Sequence, residues 1–570
     1  MALMKKCKNK YWWWGMLLVS NFFLPQAGLA KAVPEVLVQP SPFKGLNGLR
    51  FDAKGQLYVG SVAEQTLYKV DVATGKYDIF LKSPDGQVDD LIFTPDGQIF
   101  YTALLSSEVR TVDTQTNKVV TIAASIPAVD PIAQDKRGRI FIGQSLSLKN
   151  TGLYEVDPTG QNSPRLILNK PGLNAFDFGT DGLLYSPVQF AGEIIKINVD
   201  TGAIALVASG LTSPIAVKFN SKGELFALDA ATGQVVKVDL ATGQTRAIAQ
   251  LQPGLDNLAF GPTDLLYASN FVDSDINEVN TQTGRVRKVV DSGGLTAPGG
   301  ISVYRNSLYV ADTNSYRILD SKTGRIQQTI RNIVTPIQNP LTVSVNDRHA
   351  IISSWFAGAV QRLNRETGAV LNTYTGFGVP YDAIELKNGS IVVADCALGQ
   401  LTQIVDTADT NRRTVAKGLS CPTGLALVNN STVLVTEFLS NSLSRIDLTT
   451  GERTVIAEDL SSPEGVAYHA DGIAIVAETG TQSVRAIDIN TGKSLTLQQN
   501  LPIGLAGFPG GPPPYGLTGV AIAGDTVYIT GDLDNSIRTL KLDSSIRHKL
   551  KRGLRQSKRE HLKSAISINT

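Results

Sequence analysis

The chain has 570 residues, with 53 Lys+Arg against 51 Asp+Glu, 18% charged residues, 52 glycines and three cysteines. That balance excludes a disordered polyelectrolyte, a collagen and a disulfide-stapled miniprotein, and leaves a globular protein of more than one domain. The near-neutral total combines basic ends with a mildly acidic body: Lys5, Lys6, Lys8 and Lys10 at the start, and eight Lys/Arg against Glu560 over residues 545–570. Such a body is unsuited to neutralising phosphates, so no nucleic-acid partner is expected.

The four N-terminal lysines precede the apolar run Tyr11 to Pro25 and the small residues Ala27 to Ala32. This pattern predicts a secretory signal peptide over residues 1–32, cleaved after Ala30 or Ala32. An apolar run of about 15 residues broken by Asn21 falls short of the ~20 that a spanning helix needs. No later segment is long and apolar enough either. The expectation is a secreted or periplasmic protein without a transmembrane segment.

From here the sequence repeats. A turn of the form Asp-x-x-Thr-Gly, or a near variant, places glycines at Gly75, Gly160, Gly202, Gly243, Gly284, Gly324, Gly368, Gly451 and Gly492. The period is about 42 residues, and degraded copies near Asn117 and Thr410 fill the two wide gaps. A last copy without the turn ends near Asp543, which makes twelve repeats. The first shows the internal order: Gly48 to Asp52, Gln56 to Val59, Thr66 to Asp71, then Tyr77 to Leu81 after the turn at Thr74 and Gly75. These are four short strands with apolar and polar residues alternating, separated by Gly and Asp turn signals. Four antiparallel strands at this period are the signature of β-propeller blades.

Rings usually hold four to eight blades, so the predicted fold is all-β: two tandem six-bladed propellers after a signal peptide, twelve four-stranded blades in all. Glu35 to Val38 precedes the first blade as an orphan strand, and the twelfth repeat lacks a convincing fourth strand. If the orphan completes blade six, Arg285 to Val290 is freed to complete blade twelve. The predicted domains are therefore a signal peptide at 1–32, propeller one at 33–284, propeller two at 285–543 and a basic tail at 544–570.

The motifs Asn47-Gly-Leu-Arg-Phe-Asp with Gly55-Gln-Leu-Tyr-Val, and Gly300-Ile-Ser-Val with Leu308-Tyr-Val-Ala-Asp312, resemble those of NHL-repeat proteins and of the senescence-marker/gluconolactonase family. Similar blades occur in strictosidine-synthase-like proteins and in virginiamycin B lyase. The resemblance spans residues 35 to 543 and implies the fold; its motifs are shared by hydrolases, lyases and binding modules. Gluconolactonase-like enzymes hold a divalent cation at the channel mouth with a Glu from a Glu-Gly-Pro start plus Asn and Asp from later blades. Here that start reads Leu46-Asn47-Gly48, without the Glu. The related lyases rely on histidine, and the body offers only His349 and His469.

Aligning the inner strands gives the residue expected at each channel mouth. In propeller one these are Asn47, Asp89, Asp130, Asn174, Ile215 and Asp256. Three converging carboxylates repel one another unless protonated, hydrated or neutralised by a cation, and Ca²⁺ or Mg²⁺ prefers oxygen ligands. One divalent cation held by Asn47, Asp89, Asp130, Asn174 and Asp256 is expected, with no organic cofactor. The alternative is that these side chains cap loop N–H groups or line a chain of waters.

Propeller two gives Gly299, Leu341, Asp382, Thr423, Glu464 and Thr518, a poorer cation site. Its loops carry Trp355, Phe356, Tyr381 and Phe438, and a Gly/Pro-rich insertion at 504–516 contains Phe508 and Tyr515. With Asp382 and Glu464, these aromatic residues form a candidate pocket for an apolar or aromatic ligand, or a partner surface; the alternative is packing between blades. Asp312, Asp395, Glu437 and Glu478 close second strands and read as blade architecture.

Cys396 and Cys421 fall on one face of adjacent blades and are a candidate disulfide in an oxidising compartment. The tail has apolar residues at Ile546, Leu550, Leu554, Leu562 and Ile566; it reads as a solvated segment or as a surface helix attracted to an anionic surface. The functional expectation is a binding or scaffold module for a small molecule or protein. The alternatives are a metal-dependent lactone or ester hydrolase using propeller one, and a lyase or condensing enzyme of a secondary-metabolite pathway using the mouth of propeller two.

Overall fold

The structure, a computed structural model, describes residues 34–550 except 146–150, 292, 508–510 and 515. The expected signal peptide, Phe508, Tyr515 and the tail beyond residue 550 lie outside the described residues. The rest folds into twelve four-stranded antiparallel sheets. Each is built on one pattern, which blade one shows as Leu49–Phe51, Leu57–Ser61, Thr66–Val70 and Tyr77–Leu81, from the inside outwards.

The repeated turn explains itself in atoms. Asp71 Oδ1 accepts the N–H of Ala73 at 2.9 Å, the N–H of Gly75 returns to the Asp71 carbonyl at 2.8 Å, and Gly75 takes φ +73°. A Cβ at Gly75 would also stand 2.3 Å from the carbonyl oxygen of Val289 in blade six. The turn therefore demands glycine twice: once for the left-handed backbone, and once because it packs on the outer strand of the preceding blade. In the degraded copies Asn117 and Asp409 occupy that position at φ +57° and +58°.

Both rings close after six blades. In ring one the inner strand Leu49–Phe51 lies beside Leu255–Phe260 of blade six, and in ring two Ile301–Tyr304 lies beside Val520–Ala523 of blade twelve. Phe43, Leu46, Tyr68, Tyr267 and Val290 seal the first junction, while Val38, Leu308, Tyr528 and Ile537 seal the second.

The strand exchange expected from the sequence does not occur. Val286–Val290 stays in blade six beside Ile276–Val279, and Glu35–Val38 completes blade twelve, where it pairs with Ser536–Lys541. The tight turn at Asn280 to Gly284 already makes Val286–Val290 the second arm of a hairpin. Sending it elsewhere would forfeit that short closure for a long one. Gly324 of blade seven marks the outcome: its Cβ would lie 2.3 Å from the carbonyl of Leu37, the same relation that Gly75 has to Val289. Ring one is thus closed by consecutive strands alone, and ring two by a strand that precedes ring one in the chain. The boundary expected between Gly284 and Arg285 would separate Val286–Val290, the last strand, from the rest of blade six.

Residues 544–550 are helical, contrary to a wholly solvated tail. Asp543 Oδ1 accepts the N–H of Ile546 at 2.9 Å in the manner of a helix cap. Leu550 is buried against Ile473 and Leu542 of ring two, and Arg547 binds Asp525 at 2.6 Å. No helix among the described residues is long and apolar enough to cross a membrane.

The rings also bind one another. Lys44 Nζ donates to the carbonyl of Leu533 and to Asn535 Oδ1, both at 2.9 Å, and Asn535 Nδ2 donates to the carbonyl of Phe43 at 2.8 Å. Arg317 Nη2 of blade seven donates to the carbonyl of Val272 at 3.1 Å, and Arg331 Nη2 reaches Asp273 Oδ2 at 2.7 Å. Both contacts cluster around the two crossings of the chain between rings.

Candidate functional site

The inner strands of ring one begin at a common mouth, as the register predicted, and there Asn47, Asp130, Asn174, Ile215 and Asp256 line a single cavity of about 470 Å³. The cavity is not confined to ring one. Its other wall comes from ring two: Gly299, Leu341, Trp355, Phe356 and Asp532. The two mouths face each other across this chamber, a relation that no feature of the sequence disclosed.

Most of its surface is apolar, including Leu104, Leu255, Phe271 and Val272 beside the two ring-two aromatics. Phe190 of ring one and Phe356 of ring two are 68% and 62% exposed although they line the chamber, so they stand at its rim. Trp355 and Phe356 meet edge to face with ring centroids 5.9 Å apart.

The polar floor is acidic. Burial pushes the carboxyl of Asp130 up to about 7, with Asp90 adding to the rise and a hydrogen bond from Ser145 opposing it. Asp89 and Asp256 are both held well above the usual carboxylate range, first by burial and then by the charges of Asp130 and its neighbours. Asp89 does not line the chamber wall but lies close behind it, hydrogen-bonded to Asn47. Asn47 Oδ1 accepts the N–H of Val62 at 3.0 Å, and Asn174 Oδ1 accepts the N–H of Ala175 at 2.7 Å. Both amides thus follow the backbone-capping alternative, while the aspartates do not.

Deeper in the ring-one channel lie Asp90 and Lys218, both buried. Lys218 Nζ donates to the carbonyl of Phe176 at 2.8 Å; burial lowers its affinity for a proton, and Asp90 partly restores it. The sequence reading passed over this pair, although each lies on an inner strand one or three residues beyond the mouth position.

Among the described residues no three His, Cys, Asp or Glu side chains approach closely enough to hold a metal ion. The aspartates of ring one feel one another's charge without forming a cage, and two of the five expected ligands spend their oxygens on backbone N–H groups. The donor set does not fit the expected Ca²⁺ or Mg²⁺.

Ring two divides its expected ligand residues between three places. Trp355 and Phe356 line the chamber. Tyr381 is fully buried and donates its hydroxyl to the carbonyl of Pro514; with Leu341, Leu517 and Cys421 it forms an apolar plug against which Trp355 and Phe438 pack. Tyr381 and Phe438 therefore pack together instead of lining an open pocket, and Tyr381 holds the insertion at Pro514. Cys396 and Cys421 are disulfide-bonded beside the same plug.

Asp382 lines a second cavity of about 400 Å³ within the ring-two channel, with Thr423 and Thr518. Burial raises Asp382 to about 7 against the pull of the Leu425 and Ala383 N–H groups. Glu464 is raised to about 8 by burial and by Asp532, although it accepts the N–H of Thr518 at 2.6 Å.

The acids that end second strands clamp loops. Asp395 accepts the N–H groups of Gly378 and Val379 at 2.8 and 2.9 Å, Glu478 that of Ser461 at 2.9 Å, and Asp532 those of Gly504 and Leu505 at 2.8 and 2.9 Å. Asp532 was missed by the sequence reading because the strand before it ends in Thr530-Gly531 instead of Val-Ala or Val-Thr. Its recurring position in the other blades was the available signal. His349 and His469 line neither cavity; they face Glu385 at 2.8 Å and Asp525 at 3.5 Å.

No known protein family and no curated protein matches the chain. Among solved structures, selenomethionine-substituted virginiamycin B lyase from Staphylococcus aureus is 15% identical, covering 49% of this chain and 96% of that one with a TM-score of 0.36. A streptogramin B lyase is 16% identical over 49% and 94% of the two chains, with a TM-score of 0.34. The extracellular domain of a one component system from B. thetaiotaomicron is 12% identical over 89% and 82%, with a TM-score of 0.31. Likenesses this distant carry no argument about activity. The chain's own twelve sheets make it a tandem β-propeller.

Proposed function

We propose that this protein is a binding module whose small, largely apolar ligand enters the chamber between the rings. One observation carries the reading: a cavity of about 470 Å³ with apolar walls and a few converging polar groups, formed by both channel mouths together. That volume lies in the range of small-molecule pockets, roughly 300–1,000 Å³. The blades fix the walls, while the segments connecting their strands supply Phe190, Trp355 and Phe356.

The hydrolase alternative requires a Lewis acid or an activated water near the floor, where among the described residues no carboxylate cage and no histidine is found. The lyase alternative drew on an aromatic mouth in ring two, of which Tyr381 and Phe438 pack into the plug while Trp355 and Phe356 line the chamber. Binding needs only what is present.

Trp355 is the only tryptophan after Trp14, so it reports on the chamber. Titration with N-phenyl-1-naphthylamine should enhance the dye and quench the Trp355 emission with one site per chain, and Phe190→Ala with Phe356→Ala should weaken it. A dye that does not bind, or one unaffected by both substitutions, would show that the chamber is not a ligand site.

A further inference from the structure

Resting on that reading, we propose that the chamber selects amphipathic cations: ligands with an apolar body against the aromatic rim and a protonated amine seated between Asp130 and Asp256. The argument begins with what lines the cavity. Among the described residues three carboxylates do, Asp130, Asp256 and Asp532, and no Lys, Arg or His does. Asp532 is engaged by two backbone N–H groups and by the nearby charge of Lys44. Asp130 has Ser145. Asp256 has no hydrogen-bond or ion-pair partner among the described residues, yet it lines the largely apolar chamber.

A carboxylate in such surroundings is costly unless it is protonated or matched by a positive charge. A neutral ligand leaves the floor as it was, and an anionic one adds repulsion. An ammonium group removes the repulsion and can donate to two carboxylates at once, a charge-assisted arrangement stronger than neutral hydrogen bonding. Its apolar body meets Phe271, Trp355 and Phe356, whose ring faces also favour a nearby cation. The site thus discriminates by sign, and the apolar walls supply the rest of the affinity.

The cation competes with protons. Asp130 feels the charge of Asp90, and Asp89 and Asp256 feel that of Asp130; Lys218, Arg50 and Asp177 interact deeper in the channel, and Asp532 lines the ring-two wall with Lys44 near it. The carboxylates around the chamber floor outnumber the deep cations Lys218 and Arg50, and Lys218 donates to the carbonyl of Phe176. Raising the pH removes the competing proton, so affinity for an amine rises with pH while that for a neutral analogue does not.

Calorimetry on the whole protein with phenylbutylamine, phenylbutanol and phenylbutanoate at pH 8 and pH 5 tests this. The amine should bind at least about tenfold more tightly than the alcohol at pH 8, the carboxylate least, and the amine should weaken about tenfold or more at pH 5 through linkage to one proton. Asp130→Asn and Asp256→Asn should each erase the preference for amine over alcohol while leaving alcohol binding in place, with circular dichroism showing the fold retained. Equal binding of amine and alcohol at pH 8 would overturn the cation preference and leave the chamber a ligand site. Absence of binding by all three probes, and by N-phenyl-1-naphthylamine, would overturn both.

Discussion

Asp130→Asn should stabilise the protein at pH 8, and by less than half as much at pH 5. In the folded state Asp130 titrates at about 7 instead of 3.8, so the folded chain holds a proton that the unfolded chain has already released. Stability therefore falls as pH climbs from about 4 towards 7, and above that range the wild type loses nothing further through this group. A shift of about three pH units corresponds to at most about 4 kcal/mol; Asp130 is partly exposed to the chamber, which reduces the expected gain to about 2 kcal/mol. Removing its charge also relieves Asp89 and Asp256, both of which feel it. The substitution keeps the backbone carbonyl of Asp130, which accepts Thr102 Oγ1 at 2.5 Å. Urea unfolding followed by circular dichroism at both pH values, with chelator present, gives the comparison. A variant less stable than wild type at pH 8 would refute the reasoning, because the ionised carboxylate would then be satisfied by something that asparagine cannot keep. A wild type strongly stabilised by Ca²⁺ at pH 8, with the effect lost in the variant, would refute it in the same way and restore the cation.

Three further substitutions probe the framework around the chamber. Lys44→Met strands two acceptors, Leu533 O and Asn535 Oδ1, and should cost about 1–3 kcal/mol, with hydrogen exchange accelerated at Ser41 to Gly45. Arg317→Met removes the guanidinium whose Nε lies 2.5 Å from the fully buried Asp312; thermal unfolding should report a loss of about 3–5 kcal/mol, whereas Asp273 keeps Arg331. Replacing both Cys396 and Cys421 by serine opens a link between residues 25 apart and should cost about 3 kcal/mol, a loss that reducing agent reproduces in the wild type and not in the variant.

The blades were legible because their physics is local: alternation sets the strands, and Asp71 with Gly75 shows how one turn writes itself into sequence at every repeat. The floor residues Asp130 and Asp256 followed from register alone, since equivalent inner-strand positions must meet on an axis. What pairs across hundreds of residues left weaker traces. Nothing in Glu35 to Val38 names Ser536 to Lys541 as its partner, and the fate of Val286 to Val290 was decided by the hairpin turn that precedes it. Trp355 and Tyr381 looked alike as loop aromatics, yet the Pro514 carbonyl draws one into the plug and leaves the other at the chamber. Lys44 reads as a surface cation until the second ring arrives to bury it.

The seating of Glu35–Val38 in the last blade sets a timetable for synthesis. Ring one has all its strands once Val290 has emerged, so it can close while the remainder is still being made. The segment that staples ring two is produced first and must wait, unmatched, for nearly the whole length of the chain. A long span must then be bridged in one step, which slows the second closure and leaves an unpaired edge exposed to other chains in the interval. Early products of translation would thus be a finished disc carrying a loose ribbon, and ring two would be the part that most needs a chaperone.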